Sequence, residues 1–313
     1  MSVALHNPVF LFPGQGSQRP GMGRDLAESY PLARQTFEEA DAVLGFSLSR
    51  LMWDGPEAEL HDTANTQPAL YVHSLAALRV LRAVRPDLRP MYLAGHSLGQ
   101  FSALAAAGAL PFEAGLRLVR LRGELMRRAG QATPGSMAAV LGLDLAILEA
   151  ICIRASTAGE AVQVANDNCP GQVVLSGARA AVERALALAR EAGARRAIPL
   201  AVSVAAHSPL MGSIQSEFAA ALAESPLMLP DVPVICNVTA RPLESVEEMR
   251  ANLISQLTAR VRWRESVEWM GVHGGGVFLE IGCGNVLGGL VGRILPEATT
   301  LPVGTAADLA ALT

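Results

Sequence analysis

The chain has no lysine: all 25 of its basic side chains are arginine. That absence excludes a phosphate-cradling P-loop lysine, a Schiff-base lysine and a serine–lysine dyad. Genomic base composition explains such a bias as simply as any demand for arginine chemistry. Cysteine is scarce and scattered. Cys152, Cys169, Cys236 and Cys283 form no CxxC pair and have no histidine at ligand spacing, so neither a disulfide framework nor a metal site is indicated. They read as small buried hydrophobes in a reducing compartment. No apolar run approaches the roughly 18 uninterrupted residues of a membrane span. The opening "MSVALHNPVFLFPGQ" lacks a basic segment ahead of its short apolar run. A cytoplasmic protein with no membrane partner is expected. Positive charge is also in deficit: a formal net charge of −4 argues against nucleic acid as a partner.

What is present is apolar substance. Half of the 313 residues are hydrophobic, enough to bury a sizeable core in one large domain or two modest ones. Residues 8–12 read as a short buried strand ending in the turn "GQGSQ", 65–84 as a helix, and "MYLAG" as a strand. Two helices follow near 98–108 and 111–128. From about 131 to 200 the texture changes. "SMAAVLGL", "AVQVAND", "QVVLSG" and "RAIPLAV" read as strands, with helices over 144–155 and 179–193. The order β-α-β-β-α-β predicts a small ferredoxin-like insert at 131–200 within a core made of 1–130 and 201–313. Later come a helix near 208–223, the strand "VPVICNV", two helices within 246–273, the strand "VFLEIG" and a final helix from about Asn285. Strands alternating with helices on both sides of the insert predict an α/β core with a mostly parallel sheet. Ligands of such sheets bind beyond the carboxyl ends of the strands.

One stretch carries chemistry. Gly95-His96-Ser97-Leu98-Gly99 lies between an apolar strand and an Ala/Leu-rich helix, the setting of a nucleophile elbow. Small residues flanking Ser97 allow the sharp bend, and the helix behind it aims unpaired N–H groups at the corner. A glycine-rich turn with an incidental serine fits the same five residues. A serine alcohol also needs a base to take its proton. Of six histidines, His6 is near the terminus, His61 and His73 sit in polar or helical contexts, and His273 ends a helix. His96 flanks the serine, with its side chain expected to point away from Ser97. His207, in "SVAAHSPLM", follows an extended segment and opens a helix, where it could reach the elbow. From context alone it is a base or a structural histidine.

Taken together, "FPGQGSQ", "NTQPAL", "GHSLG", "RLRGELM", "NDNCPGQVVLSG", "SVAAHSPLM" and "EIGCGNVLGGL" resemble the malonyl-CoA:acyl-carrier-protein transacylase family, in order and over nearly the whole chain. The resemblance implies an α/β-hydrolase-like core with a ferredoxin-like subdomain. It also implies transfer of a malonyl group from the coenzyme A thioester to the phosphopantetheine thiol of an acyl carrier protein, with no bound cofactor. By that resemblance Ser97 is the nucleophile and His207 the base, oriented by a backbone carbonyl assigned to Arg262. The backbone N–H groups of Leu98 and Gln15 form the oxyanion hole. Arg122 pairs with the malonyl carboxylate, and Gln67 and Asn168 line the site. For Asn168, beside Pro170 and Gly171, turn chemistry is an equal reading.

Three departures stand out. Gln100 replaces a common Glu, Cys283 a frequent Pro, and Ala206 a Phe found in some malonyl-selective relatives, which leaves room for an α-methyl group. Two alternatives remain: the transacylase subunit of a malonate decarboxylase, and a serine hydrolase whose histidine is oriented by an acid, for which Asp167 is the nearest candidate. The acidic carrier is expected to dock on insert arginines Arg184, Arg190, Arg195 and Arg196.

Overall fold

A computed structural model of the chain describes residues 5–202 and 204–313. Strand β1 (Val9–Phe12) leads into four short helices, α1 (Arg24–Ser29), α2 (Pro31–Leu44), α3 (Leu48–Asp54) and α4 (Glu57–Leu60), then the long α5 (Thr63–Val84). Next come β2 (Tyr92–Gly95), α6 (Gly99–Ala106) and α7 (Phe112–Ala132). The insert follows as β3 (Gly135–Leu141), α8 (Leu145–Ala155), β4 (Val162–Cys169), β5 (Gln172–Ala178), α9 (Arg179–Glu191) and β6 (Arg196–Pro199). The chain returns through a 3-10 helix (Pro209–Ile214), α10 (Gln215–Glu224), β7 (Val234–Ile235), α11 (Val246–Ser255) and α12 (Trp263–Val272). It ends with β8 (Val277–Ile281), α13 (Val286–Ile294), β9 (Thr299–Val303) and α14 (Ala306–Ala310).

Among the described residues two sheets form. The first has the order β7-β2-β1-β8-β9 with every pair parallel. Its centre, "VFLF", is buried on both faces, as an uninterrupted apolar run in a parallel sheet must be. Phe10 and Phe12 join the core beneath α5, α6 and α7, while Val9 and Leu11 pack with Trp263, Val267 and Val291 of α12 and α13. That two-residue alternation makes a helix–sheet–helix sandwich. The second sheet is antiparallel, in the order β4-β5-β3-β6, the pairing of a ferredoxin-like β-α-β-β-α-β unit. Its residues Ala138, Val140, Val173 and Leu175 face α8 and α9, whereas Met137 and Val174 point to the opposite side. β4 is tied to the parallel core through Asp167 N–H to Val261 O (3.0 Å) and Val261 N–H to Ala165 O (2.8 Å).

Several sequence expectations are adjusted. The helix near 208–223 is a 3-10 turn followed by α10, because Ser208 caps a segment that starts with Pro209. "RAIPLAV" stays a strand only as far as Pro199, whose missing N–H suits the end of an edge strand. α13 is not the last element, since β9 and α14 follow it. The four helices between 24 and 60 add to the elements expected from the sequence; of these α2 is marked by Pro31 at its first position and by Gly45 as its left-handed cap. Among the described residues no helix is long and apolar enough to cross a membrane.

Candidate active site

The elbow forms where β2 ends and α6 begins. A Cβ on Gly95 would overlap the Gly99 backbone, and one on Gly99 would overlap Phe12 O, so strand, turn and helix close up only with glycine at both places. Ser97 sits at the corner with φ 50°, a left-handed conformation that costs a non-glycine residue about 1–3 kcal/mol. The Asn237 side chain holds it there: Oδ1 accepts from Ser97 N–H and Nδ2 donates to Gly95 O, both at 2.7 Å. Gln256 Nε2 donates to Ser97 O (3.1 Å) and to Gln100 Oε1 (3.1 Å).

His207 reaches the same point from the loop before the 3-10 helix, also left-handed at φ 57°. Its Nε2 lies 2.8 Å from Ser97 Oγ, and its Nδ1 lies 2.7 Å from the backbone oxygen of Gln256. A carbonyl only accepts, so Nδ1 carries the proton and Nε2 offers its lone pair to the serine hydroxyl. Burial first, and then the Arg122 charge, push the imidazole down to about 3, so the ring is neutral at ordinary pH.

The orienting carbonyl is therefore that of Gln256, not Arg262. Helix α11 ends at Ser255, and the carbonyls just past a helix end lack intrahelical partners. Arg262 opens α12, and its oxygen is already taken by Ser266 N–H (3.0 Å) and Oγ–H (2.8 Å). Nor does Asp167 approach the imidazole. It is buried within 3.1 Å of Arg264 Nε, an ion-pair distance without hydrogen-bond alignment, and desolvation outweighs that cation to raise its carboxyl. An acid-oriented triad does not form.

Arg122, on α7, is 2% exposed and turns its guanidinium towards the serine. It donates to Gln67 Oε1 (2.7 Å), Gln256 Oε1 (3.1 Å) and Ser97 Oγ (3.2 Å), and burial lowers it to about 10. No carboxylate pairs with it among the described residues, and its Nε is buried without an acceptor. Gln67 thus stands behind Arg122 instead of lining the cavity. That cavity, about 180 Å³, is lined by Ser97, His207, Arg122, Ala206, Asn168 and Gln15 among others. A second hollow of about 590 Å³ shares Gln15, Leu200, Val202 and Val204 with it as wall residues. His96 does not bond the serine, but it does line this cavity, with Nε2 2.9 Å from Asn168 Oδ1 and its ring against Trp263. The backbone N–H groups of Leu98 and Gln15 find no acceptor among the described residues.

The sequence profile of the acyl transferase domain matches residues 9–295. The malonyl CoA-acyl carrier protein transacylase of Haemophilus influenzae is 44% identical over 304 residues, 97% of each chain. This chain belongs to the malonyl-CoA:acyl-carrier-protein transacylase family. Among solved structures, the transacylase of Coxiella burnetii has a TM-score of 0.94 at 39% identity, over 97% of this chain and 95% of that one. A type II PKS acyl-carrier protein in complex with its malonyl-transacylase provides another, at TM-score 0.92 and 42% identity, over 97% and 98%.

The family resemblance singled out Ser97, His207, Arg122, Gln15, Leu98, Asn168 and Ala206, and the fold draws all seven into one cavity. Asn237 and Gln256 were missed, because an amide in a loop or at a helix end has no motif or spacing that marks it. Gln100 is fully buried, its Oε1 accepting from Asn237 N–H (2.9 Å) and its Nε2 unpartnered. Two of the insert arginines have partners within the insert. Arg184 is engaged with Glu160 (2.8 Å) and Arg190 with Ala197 O (2.9 Å), on a helix that packs against the sheet face turned away from the cavity.

Proposed function

We propose that this chain transfers a malonyl group from malonyl-CoA to the phosphopantetheine thiol of an acyl carrier protein, through a Ser97-bound acyl-enzyme. The observation that carries the reading is Arg122, a buried guanidinium whose acceptors are all neutral, 3.2 Å from Ser97 Oγ. An acyl group with a free carboxylate gives that cation a charged partner and recovers, in a bidentate pair, the hydration both lose. An acetyl group does neither.

Ser97 Oγ attacks the thioester carbonyl while His207 Nε2 takes its proton, and the C–S bond then breaks with the proton passing to the departing thiolate. The N–H groups of Leu98 and Gln15 stand ready for the oxyanion, where each such donor is typically worth ~10²–10³ in rate. In the second half the carrier's thiol gives its proton to the same imidazole and attacks the acyl-serine ester; the C–Oγ bond breaks and Ser97 Oγ takes the proton back from His207. A carbonyl instead of a carboxylate behind Nδ1 leaves the base a weaker proton acceptor, consistent with a thiol, not water, as the incoming nucleophile. The four cysteines, all free and buried, suit a reducing cytoplasm.

The test is intact mass. Mixing with malonyl-CoA should add one malonyl group at Ser97, and a phosphopantetheinylated carrier should discharge it with transfer to its own thiol. Loss of the adduct to water faster than to the carrier would make the protein a hydrolase.

A further inference from the structure

Gln163 lies on β4 of the insert, and its amide Nε2 reaches out of that sheet to two carbonyls of the core: His207 O at 2.8 Å and Thr258 O at 2.7 Å. An amide nitrogen has two hydrogens, and both are used. The two carbonyls belong to the two segments that make the base. One is His207 itself, whose left-handed backbone is unfavourable for a side-chain-bearing residue. The other follows Gln256 and Leu257, which supply the oxygen facing Nδ1 (2.7 Å) and the oxygen accepting from His207 N–H (3.0 Å). Gln163 therefore clamps the segment that carries the imidazole to the segment that orients it.

We infer that Gln163 is a positioning residue for His207: an insert side chain holds the base at hydrogen-bond distance from Ser97. The inference rests on His207 being the base, but not on the acyl group or its acceptor. At its other end β4 supplies Asn168, whose Oδ1 lies 2.9 Å from Nε2 of His96, the residue before the nucleophile. Without the clamp the strained loop relaxes and Nε2 drifts from Oγ. Misplacement on the scale of 1 Å costs up to about 100-fold in rate.

The experiment uses Gln163→Met, which keeps the length and removes the donor, and Gln163→Lys, which restores donors on a chain long enough to reach both carbonyls. Two rates are read on the full protein: malonyl transfer to a carrier, and acylation of Ser97 by p-nitrophenyl acetate, which needs the dyad but neither Arg122 nor a carrier. Gln163→Met should lower kcat for both by the same factor, roughly 10- to 100-fold, with KM for malonyl-CoA and the melting temperature near wild type. Gln163→Lys should recover most of the loss. Gln163→Met rates within about twofold of wild type would overturn the inference, and so would a Lys variant as slow as the Met variant. A wild-type protein that is acylated by the ester yet never loads a carrier would sink the functional reading while leaving the role of Gln163 to be decided by the ester rates.

Discussion

Arg122 is held by groups that carry no charge, and this sets what its removal does. Gln67, Gln256 and the Ser97 hydroxyl orient the guanidinium without neutralising it, so an incoming carboxylate gives a buried cation its charged partner. Losing one partner of a buried charged pair costs ~2–5 kcal/mol, or roughly 30-fold to several thousandfold at ~1.4 kcal/mol per decade. Arg122→Ala should lower kcat/KM for malonyl-CoA by that factor while acetyl-CoA falls less or rises; parallel losses would mean that Arg122 serves the fold. The base permits a second prediction at this scale. With its imidazole pushed down to about 3, His207 stays unprotonated, and able to accept a proton, well below its ordinary range. The kcat/KM for acylation should therefore run level from pH 8 to about 5, without the bend near pH 6.5 of a solvated histidine. A stopped-flow pH profile decides it.

At the scale of elements, the decisive joint is β2–turn–α6. Glycines at 95 and 99 let the strand and helix close on each other, but they do not select the conformation of Ser97 between them. Asn237, from the segment after β7, makes that selection by bonding both sides of the bend. Asn237→Ala leaves Ser97 N–H and Gly95 O without these partners, at ~1–3 kcal/mol for each buried group, so unfolding free energy in urea should fall by about 2–6 kcal/mol. Turnover should fall with it, since the relaxed corner no longer presents Oγ to His207. An unchanged urea midpoint would mean that solvent replaces the amide.

The whole molecule couples two sheets through β4, and it also buries imidazoles that the unfolded chain would protonate. His207 and His73, pushed down to about 3 and about 4 chiefly by burial, stay neutral in the folded state, whereas the unfolded chain binds their protons below about pH 6.5. More protons on the unfolded side means that stability falls as pH drops, by roughly 1 kcal/mol per pH unit for each such histidine. Asp167 and Glu280, raised by burial, act in the opposite direction at the acid end. Comparing wild type with His207→Gln cancels them. Between pH 6 and 4.5 the variant should lose stability less steeply, by roughly 1 kcal/mol per pH unit, in urea titrations. Equal slopes would show that His207 is protonated in the folded protein.

Local pattern was enough for the apolar run of β1, the elbow, the β-α-β-β-α-β order of the insert and, through the family motifs, for the choice of Ser97, His207 and Arg122. These rest on periodicity, glycine geometry and contiguous motifs, all of which are local. What it left open required distant segments to meet. The carbonyl behind His207 could not be read, because any backbone offers one and only the end of α11 decides that it belongs to Gln256 and not to Arg262. The same holds for Asn237 and Gln163, whose bonds span 140 and 44 residues of chain. An amide side chain has no characteristic neighbours in sequence. Only the packing of the insert against the parallel sheet determines which backbone groups it will hold.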